Sequence, residues 1–277
     1  MQATIPHRIR TEPFALHPGH IERYLTPPAA NIQLPQMALR RDTVGPVYEN
    51  GAAMIPQLEM IGDVALIRVS GALMTGVTFW DFFIYGAYDY QWLSDLHAQA
   101  IEQNPRAILI DWDSPGGSVV GGTEMREQLA ATQCELVHFT RAYMASMAYR
   151  LATTGQIFAT PTSIVGCIGA IAVYTDSSVA ASTAGLQVLA FTSDGTGNPS
   201  PLKALGNPGI AITDEQKSFV QNRVHESAKG FRDEVLAAFP GATGDAMRGG
   251  WVYGSQAVTD KLITGTVPNL ETLIAAI

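Results

Sequence analysis

Cysteine is nearly absent from this chain. Cys134 and Cys167 are the only two, too few for a disulfide framework, and both fall in apolar segments, which fits a reducing, cytoplasmic setting. Charge is also sparse, at 15% of residues, and its balance is acidic: the net charge of −8 argues against non-specific nucleic-acid binding. No apolar run reaches the roughly 20 residues that a membrane helix needs. The longest is Ile164–Tyr174, and Met1–Pro13 lacks the apolar centre of a signal peptide, so no membrane partner is expected. There is no metal-ligand cluster and no phosphate loop, since Gly195-Thr196-Gly197 is too short to count; no cofactor or metal is expected.

What is present is a hydrophobic content of 47% in 277 residues, enough for one large α/β core. Residues 1–60 are proline-rich, carry scattered arginines and show no sustained periodicity, so they read as an extended N-terminal arm, packed on a neighbour or removable as a pro-segment. From Asp63–Gly71 onward strands and helices alternate to about residue 192, the pattern of a parallel sheet covered by helices, and residues 61–277 are expected to form the folded domain. Thr213-Asp214-Glu215-Gln216 matches a capping box, and Val220, Val224, Phe231, Val235 and Phe239 mark one face of a helix over 213–239. Shorter helices are expected at 91–103, 243–248 and 269–276, and an irregular loop over Thr192–Gly209.

Two strand-to-helix turns stand out. The first follows the apolar run Arg106–Asp111, where Ser114-Pro115-Gly116-Gly117 ends a buried strand and a helix is expected over Ser118–Ala131. Consecutive glycines allow a main-chain N–H to approach a ligand and serve an oxyanion, although a plain turn is the commoner meaning of these residues by themselves. The second follows the short strand Glu135–Thr140, with a small-residue helix expected over Ala145–Thr154 and Ser146 in its first turn. Ser146 there serves as an N-cap or points its hydroxyl, with the Met147 N–H beside it, into the crevice of the first turn.

A serine hydroxyl needs a base before it can attack. His7, His17 and His20 lie in the proline-rich leader, His97 on an expected surface helix and His225 inside the long helix. His138 is near Ser146 in sequence, but its strand position favours a structural role. Lysine is the remaining candidate. Lys203 sits in the turn-rich loop Asn198–Pro208, where a loop lysine is ordinarily solvated.

Asp113-Ser114-Pro115-Gly116-Gly117, Ala145-Ser146-Met147-Ala148-Tyr149, Val165–Ala170 and Lys203–Pro208 occur in the order and spacing of the signal peptide peptidase A (SppA) family. The chain resembles most its phage prohead-peptidase branch, as do Tyr85–Tyr90 and Thr213–Phe239; the resemblance covers roughly residues 60–265. It implies a ClpP/crotonase-like α/β fold and a serine endopeptidase acting on protein or peptide substrates, with capsid or scaffold proteins as candidates and the arm as another. It also implies Ser146 as nucleophile, Lys203 as base, and the N–H groups of Gly117, next to Gly116, and Met147 as the oxyanion hole. Cys167 stands where the family usually has a serine that orients the lysine, and a thiol is a weaker hydrogen-bonding group. Lys261–Thr264 also departs from the family ending, at a structural position.

The Clp proteolytic subunit shares the glycine turn and the Ala-Ser-Met nucleophile, but Ile171 stands where its histidine would be. A crotonase-like acyl-CoA enzyme and a catalytically degenerate capsid-assembly subunit also stay open, although neither needs both Ser146 and Lys203. The resemblance further implies a homo-oligomeric ring. Because Lys203 lies on a long loop far along the chain from Ser146, the dyad is expected to be shared between subunits.

Overall fold

The computed structural model describes residues 14–16, 37–38, 43–48, 52–192, 195–196 and 202–277. Short strands β1 (Phe14–Leu16), β2 (Met37–Ala38), β3 (Val47–Tyr48) and β4 (Glu59–Ile61) precede the long strand β5 (Val64–Ser70). Then come β6 (Ala72–Met74), α1 (Phe79–Tyr85), β7 (Ala87–Asp89), α2 (Tyr90–Glu102), β8 (Ala107–Ser114), β9 (Gly116–Ser118) and α3 (Gly122–Ala130). The centre of the chain holds β10 (Glu135–Ala145), α4 (Met147–Ala152), β11 (Gln156–Ala159) and β12 (Ile164–Gly166). It is followed by α5 (Ser178–Thr183), β13 (Phe191–Thr192), β14 (Gly195–Thr196) and the long α6 (Asp214–Ala238). A 3-10 turn (Asp245–Arg248), β15 (Trp251–Tyr253), α7 (Gly254–Thr259), β16 (Gly265–Thr266) and α8 (Leu270–Ile274) close the chain.

The expected parallel sheet is present. β5, β8, β10 and β12 run side by side in parallel, with β4 and β15 added antiparallel at the edges. β10 carries the most pairings: its first half holds β11 and its second half holds β12, with a register shift between Thr140 and Met144. Its partner β8 is apolar on both faces. Ile108, Ile110 and Trp112 enter the larger core beneath α2, α3 and α4, while Ala107 and Leu109 face a smaller one closed by Leu270 and Leu273 of α8. A strand buried on both sides reads as an unbroken apolar run, which is why this strand was visible in the sequence. Val44 and Ile55, upstream of residue 61, also pack in the larger core.

A second, smaller sheet lies beside the first, in the order β1-β9-β6-β7. β6 pairs parallel with β7 and β9, and β1 pairs antiparallel with β9. The glycine segment expected to begin a helix at Ser118 is therefore a strand, and the helix starts at Gly122 after Gly121 takes a left-handed φ of 84°. Likewise β10 runs on through Ala145, so the helix expected from Ala145 begins at Met147. α6 does open on the capping box: Thr213 Oγ1 accepts from Gln216 N–H at 3.2 Å, and Gln216 Oε1 accepts from Thr213 N–H at 2.9 Å.

Candidate active site

The parallel pairing of β8 with β10 sets Ser114 opposite Met144. One step further on, both chains leave the sheet at the same end. β8 turns into Pro115-Gly116-Gly117 and β10 into Ser146, so the two turns singled out in the sequence lie side by side, and β9 packs on α4.

The first turn is held by its own serine. Ser114 Oγ donates to the Gly71 carbonyl at 2.7 Å and accepts from Gly116 N–H at 3.2 Å. Gly116 has a φ of 103°, a region that other residues avoid. Gly117 is required for a different reason: a Cβ there would lie 1.9 Å from the Leu73 carbonyl oxygen of β6. The far end of β9 is pinned by the Tyr90 hydroxyl, which donates to the Ser118 carbonyl at 2.6 Å.

Ser146 occupies the second turn with φ 55° and ψ −119°, and makes no side-chain cap bond. A non-glycine residue held there carries backbone strain, of a kind that clusters at functional sites. A serine on a sharp strand-to-helix turn is also the arrangement that lifts a nucleophile clear of its sheet. The surroundings enforce it: Ser146 N–H donates to the Gly166 carbonyl at 2.6 Å, and its carbonyl accepts from Arg150 N–H at 2.9 Å. Met147 is the first residue of the helix, so its N–H has no acceptor within it. Its side chain lies against Gly122, where a Cβ would come within 2.8 Å of the sulfur. Ser146, Met147, Gly116 and Gly117 thus come together, with main-chain donors on both sides of the crevice.

Cys167 follows Gly166 directly. It has a φ of 58°, its N–H donates to the Gly250 carbonyl at 2.6 Å, and burial pushes its thiol up to about 11. The group stays a neutral thiol across the neutral range. The apolar run Ile164–Tyr174 leaves the sheet after Gly166; Ile168 is buried while Ile171 and Val173 are exposed.

Lys203 lies in an exposed turn over 202–206, fixed by the buried Ala204. Leu205 lines a surface groove with Ile171, Tyr174, Ile212, Val220 and Val224. The loop's exit is tied down where Ser177 Oγ accepts from Gly209 N–H at 2.8 Å and Asp176 Oδ2 accepts from Ile212 N–H at 2.9 Å. Hydrogen bonds from Ser178 and Ile212 hold the Asp176 carboxyl down to about 2. Among the described residues no hydrogen bond or ion pair holds the Lys203 side chain.

The histidines separate clearly. His138 is fully buried, with Nδ1 accepting from Trp112 Nε1 at 3.2 Å and Nε2 3.2 Å from Thr154 Oγ1; burial lowers it to about 3. It is a neutral bridge within the core. His97, expected on a surface helix, is instead buried in α2 beside Thr132 Oγ1 at 2.8 Å and Gln128 Nε2 at 3.3 Å, partners more than thirty positions away. Burial lowers its pKa as well. Among the described residues no group of three or more His, Cys, Asp or Glu could hold a metal ion.

Sequence reasoning missed a support behind Ser146. Arg150, one turn along α4, grips Glu234 of α6 through both carboxylate oxygens at 2.7 Å, and Arg126 adds a contact at 3.1 Å. The signal was there, because an arginine in an otherwise apolar, small-residue helix has to find a partner.

The sequence profile of peptidase family S49 matches residues 129–271, a span that includes Ser146, Cys167 and Lys203. The chain belongs to peptidase family S49. It is accordingly a serine peptidase of the SppA-like group. No curated protein matches the sequence. Among solved structures, an alanine mutant of the 1510-N membrane-bound stomatin-specific protease is similar at 13% identity. That match covers 76% of this chain and 82% of the other, with a TM-score of 0.44. A second alanine mutant of 1510-N, in complex with a substrate peptide, is similar at 12% identity over 76% and 77% of the two chains, with a TM-score of 0.41. Among the described residues no helix is long and apolar enough to cross a membrane.

Proposed function

We propose that this S49 peptidase is an endopeptidase with a Ser146–Lys203 dyad that processes capsid or scaffold proteins during phage head maturation in the host cytoplasm. The observation that carries the catalytic part is the strained, bond-enforced turn at Ser146 lying beside the Gly116-Gly117 turn. Ser146 Oγ attacks the scissile carbonyl carbon, and Lys203 takes the hydroxyl proton and passes it to the departing amine. The N–H groups of Gly117 and Met147 stabilise the tetrahedral oxyanion. Water then hydrolyses the acyl ester and frees Ser146. The capsid-directed role rests on the order of the four sequence motifs and on their resemblance to the prohead branch.

The same reading includes a ring in which the dyad is closed by assembly. Lys203 is exposed on a turn whose buried residue, Ala204, faces its own chain. On the segment that precedes this turn in the chain, Val179 is 75% exposed, Leu186 62% and Phe191 74%, apolar surface suited to a second copy of this chain.

The test is to incubate the protein, and its Ser146→Ala form, with purified phage capsid and scaffold proteins, and to follow cleavage on gels. Serine-dependent cleavage supports the reading; intact capsid and scaffold with a cleaved generic substrate removes the phage role and leaves the peptidase.

A further inference from the structure

The edge of β9 that an incoming polypeptide would need is covered by the protein's own chain. β1 lies antiparallel on it in the register Phe14 to Ser118, Ala15 to Gly117 and Leu16 to Gly116. β9 has little besides main chain to offer a partner, since it is Gly116-Gly117-Ser118. On either side of Gly117 the groups are engaged elsewhere: Gly116 N–H by Ser114 Oγ, and the Ser118 carbonyl by the Tyr90 hydroxyl. Gly117 itself is the residue paired with Ala15.

We infer that the N-terminal segment is seated as an intramolecular substrate and that the protein cuts its own chain between Ala15 and Leu16. The inference rests on the peptidase reading of Ser146 and Gly117 given above. If Gly117 N–H is the oxyanion donor, the carbonyl in register with it is the one attacked, and that carbonyl belongs to Ala15. Strand pairing supplies the positioning, because an antiparallel ladder fixes which residue faces which. The attachment is covalent, so its effective concentration exceeds that of a free peptide, and the seated arm excludes other substrates until it is cut. In the reaction Ser146 Oγ bonds to the Ala15 carbonyl carbon, and the Ser146 proton passes through Lys203 to the Leu16 nitrogen as the Ala15–Leu16 bond breaks. Water then cleaves the ester, which releases residues 1–15 with a carboxylate on Ala15 and leaves a chain beginning at Leu16.

The test is intact-mass measurement and N-terminal sequencing of the full-length protein, its Ser146→Ala form and an Ala15→Asp form, with hydrolysis of labelled casein measured on the same samples. The inference expects wild type to lose residues 1–15 and to begin at Leu16, Ser146→Ala to keep them, and Ala15→Asp to keep them and to hydrolyse casein at least tenfold more slowly. Serine-dependent casein hydrolysis with the arm still attached, or with a new terminus elsewhere, overturns the inference and leaves the peptidase reading standing. An intact arm with no serine-dependent casein hydrolysis overturns both.

Discussion

The N–H of Ser146 donates to the carbonyl of Gly166 at 2.6 Å, and this bond joins the end of β10 to the end of β12 at the point where the chain turns into α4. It holds a serine at φ 55°, a conformation that an isolated chain would abandon. The two strands also bring Cys167 beside the nucleophile. Ser146 is therefore part of a turn specified by its neighbours, and its hydroxyl is spared from capping the helix behind it.

Lys203→Arg should be as inactive as Lys203→Ala. Arginine remains protonated throughout the working range and cannot accept the Ser146 proton, although it preserves charge and approximate length. Both variants should lose about a thousandfold or more in kcat/KM, with unchanged thermal unfolding because the side chain is exposed. Substantial activity in Lys203→Arg would show that the base lies elsewhere.

Gly117→Ala should cost both fold and function. Its Cβ would lie 1.9 Å from the Leu73 carbonyl, so β9 must move away from β6. Such overpacking costs about 1–3 kcal/mol, and a displaced oxyanion donor about a hundredfold or more in kcat. Denaturant unfolding and steady-state kinetics separate the two. A variant with normal kcat would remove Gly117 from the oxyanion hole.

Breaking the Arg150–Glu234 pair should loosen the helix behind the nucleophile. The Arg150 side chain is only 8% exposed, and the bond to Glu234 is two-pronged. Arg150→Ala is expected to destabilise the protein by about 2–4 kcal/mol, since removing one partner strands a half-buried carboxylate. Arg126 remains near Glu234 and softens the loss. A change near zero in urea unfolding would show that α4 is held by packing alone.

His138 should make the fold sensitive to acid without taking part in catalysis. Burial lowers it from 6.5 to about 3, so between those values the unfolded chain binds a proton that the folded one does not. The contribution is fully present above pH 6.5 and is lost as pH falls toward 3. Urea midpoints measured between pH 4 and 8 should fall toward the acid end, and the slope should be shallower in His138→Gln. Per folded molecule, His138→Gln should keep most of its activity. Loss comparable to that of Ser146→Ala in a folded sample would contradict the lysine base.

How far the sequence could be read depended on whether a segment's neighbours are close along the chain. β8 showed as an apolar run because both its faces are buried, and α6 announced itself through Thr213 and Gln216, three positions apart. The second half of β10 was hidden, since Arg141, Ala142 and Tyr143 carry no strand-like alternation, and the strand is carried on by the pairing of Tyr143, Met144 and Ala145 with β12. β9 was unreadable for a simpler reason: two glycines have no side chains from which to form a pattern, and their strand state comes from β6 and β1. His97 was misplaced because Gln128 and Thr132, which satisfy it, belong to α3 and the turn after it. At the site, the motifs named Ser146 and the glycine turn, and the parallel register brings them together. Lys203 is in the exposed turn that its loop composition suggested, and its meeting with Ser146 belongs to the proposed assembly.

That assembly can be examined by complementation. Ser146→Ala protein supplies an intact Lys203, and Lys203→Ala protein an intact Ser146; mixed and co-assembled, they should regain a fraction of wild-type activity. Confirmed co-assembly with activity no higher than either variant alone would place the dyad within one chain.

The most direct test of the central claim is to treat the protein with a fluorophosphonate and locate the adduct by peptide mass spectrometry. The account predicts a single adduct on Ser146, formed rapidly in wild type and about a hundredfold or more slowly in Lys203→Ala, whose nucleophile lacks its base. No adduct on folded, assembled protein, or one on another residue with Ser146 unmodified, would contradict it.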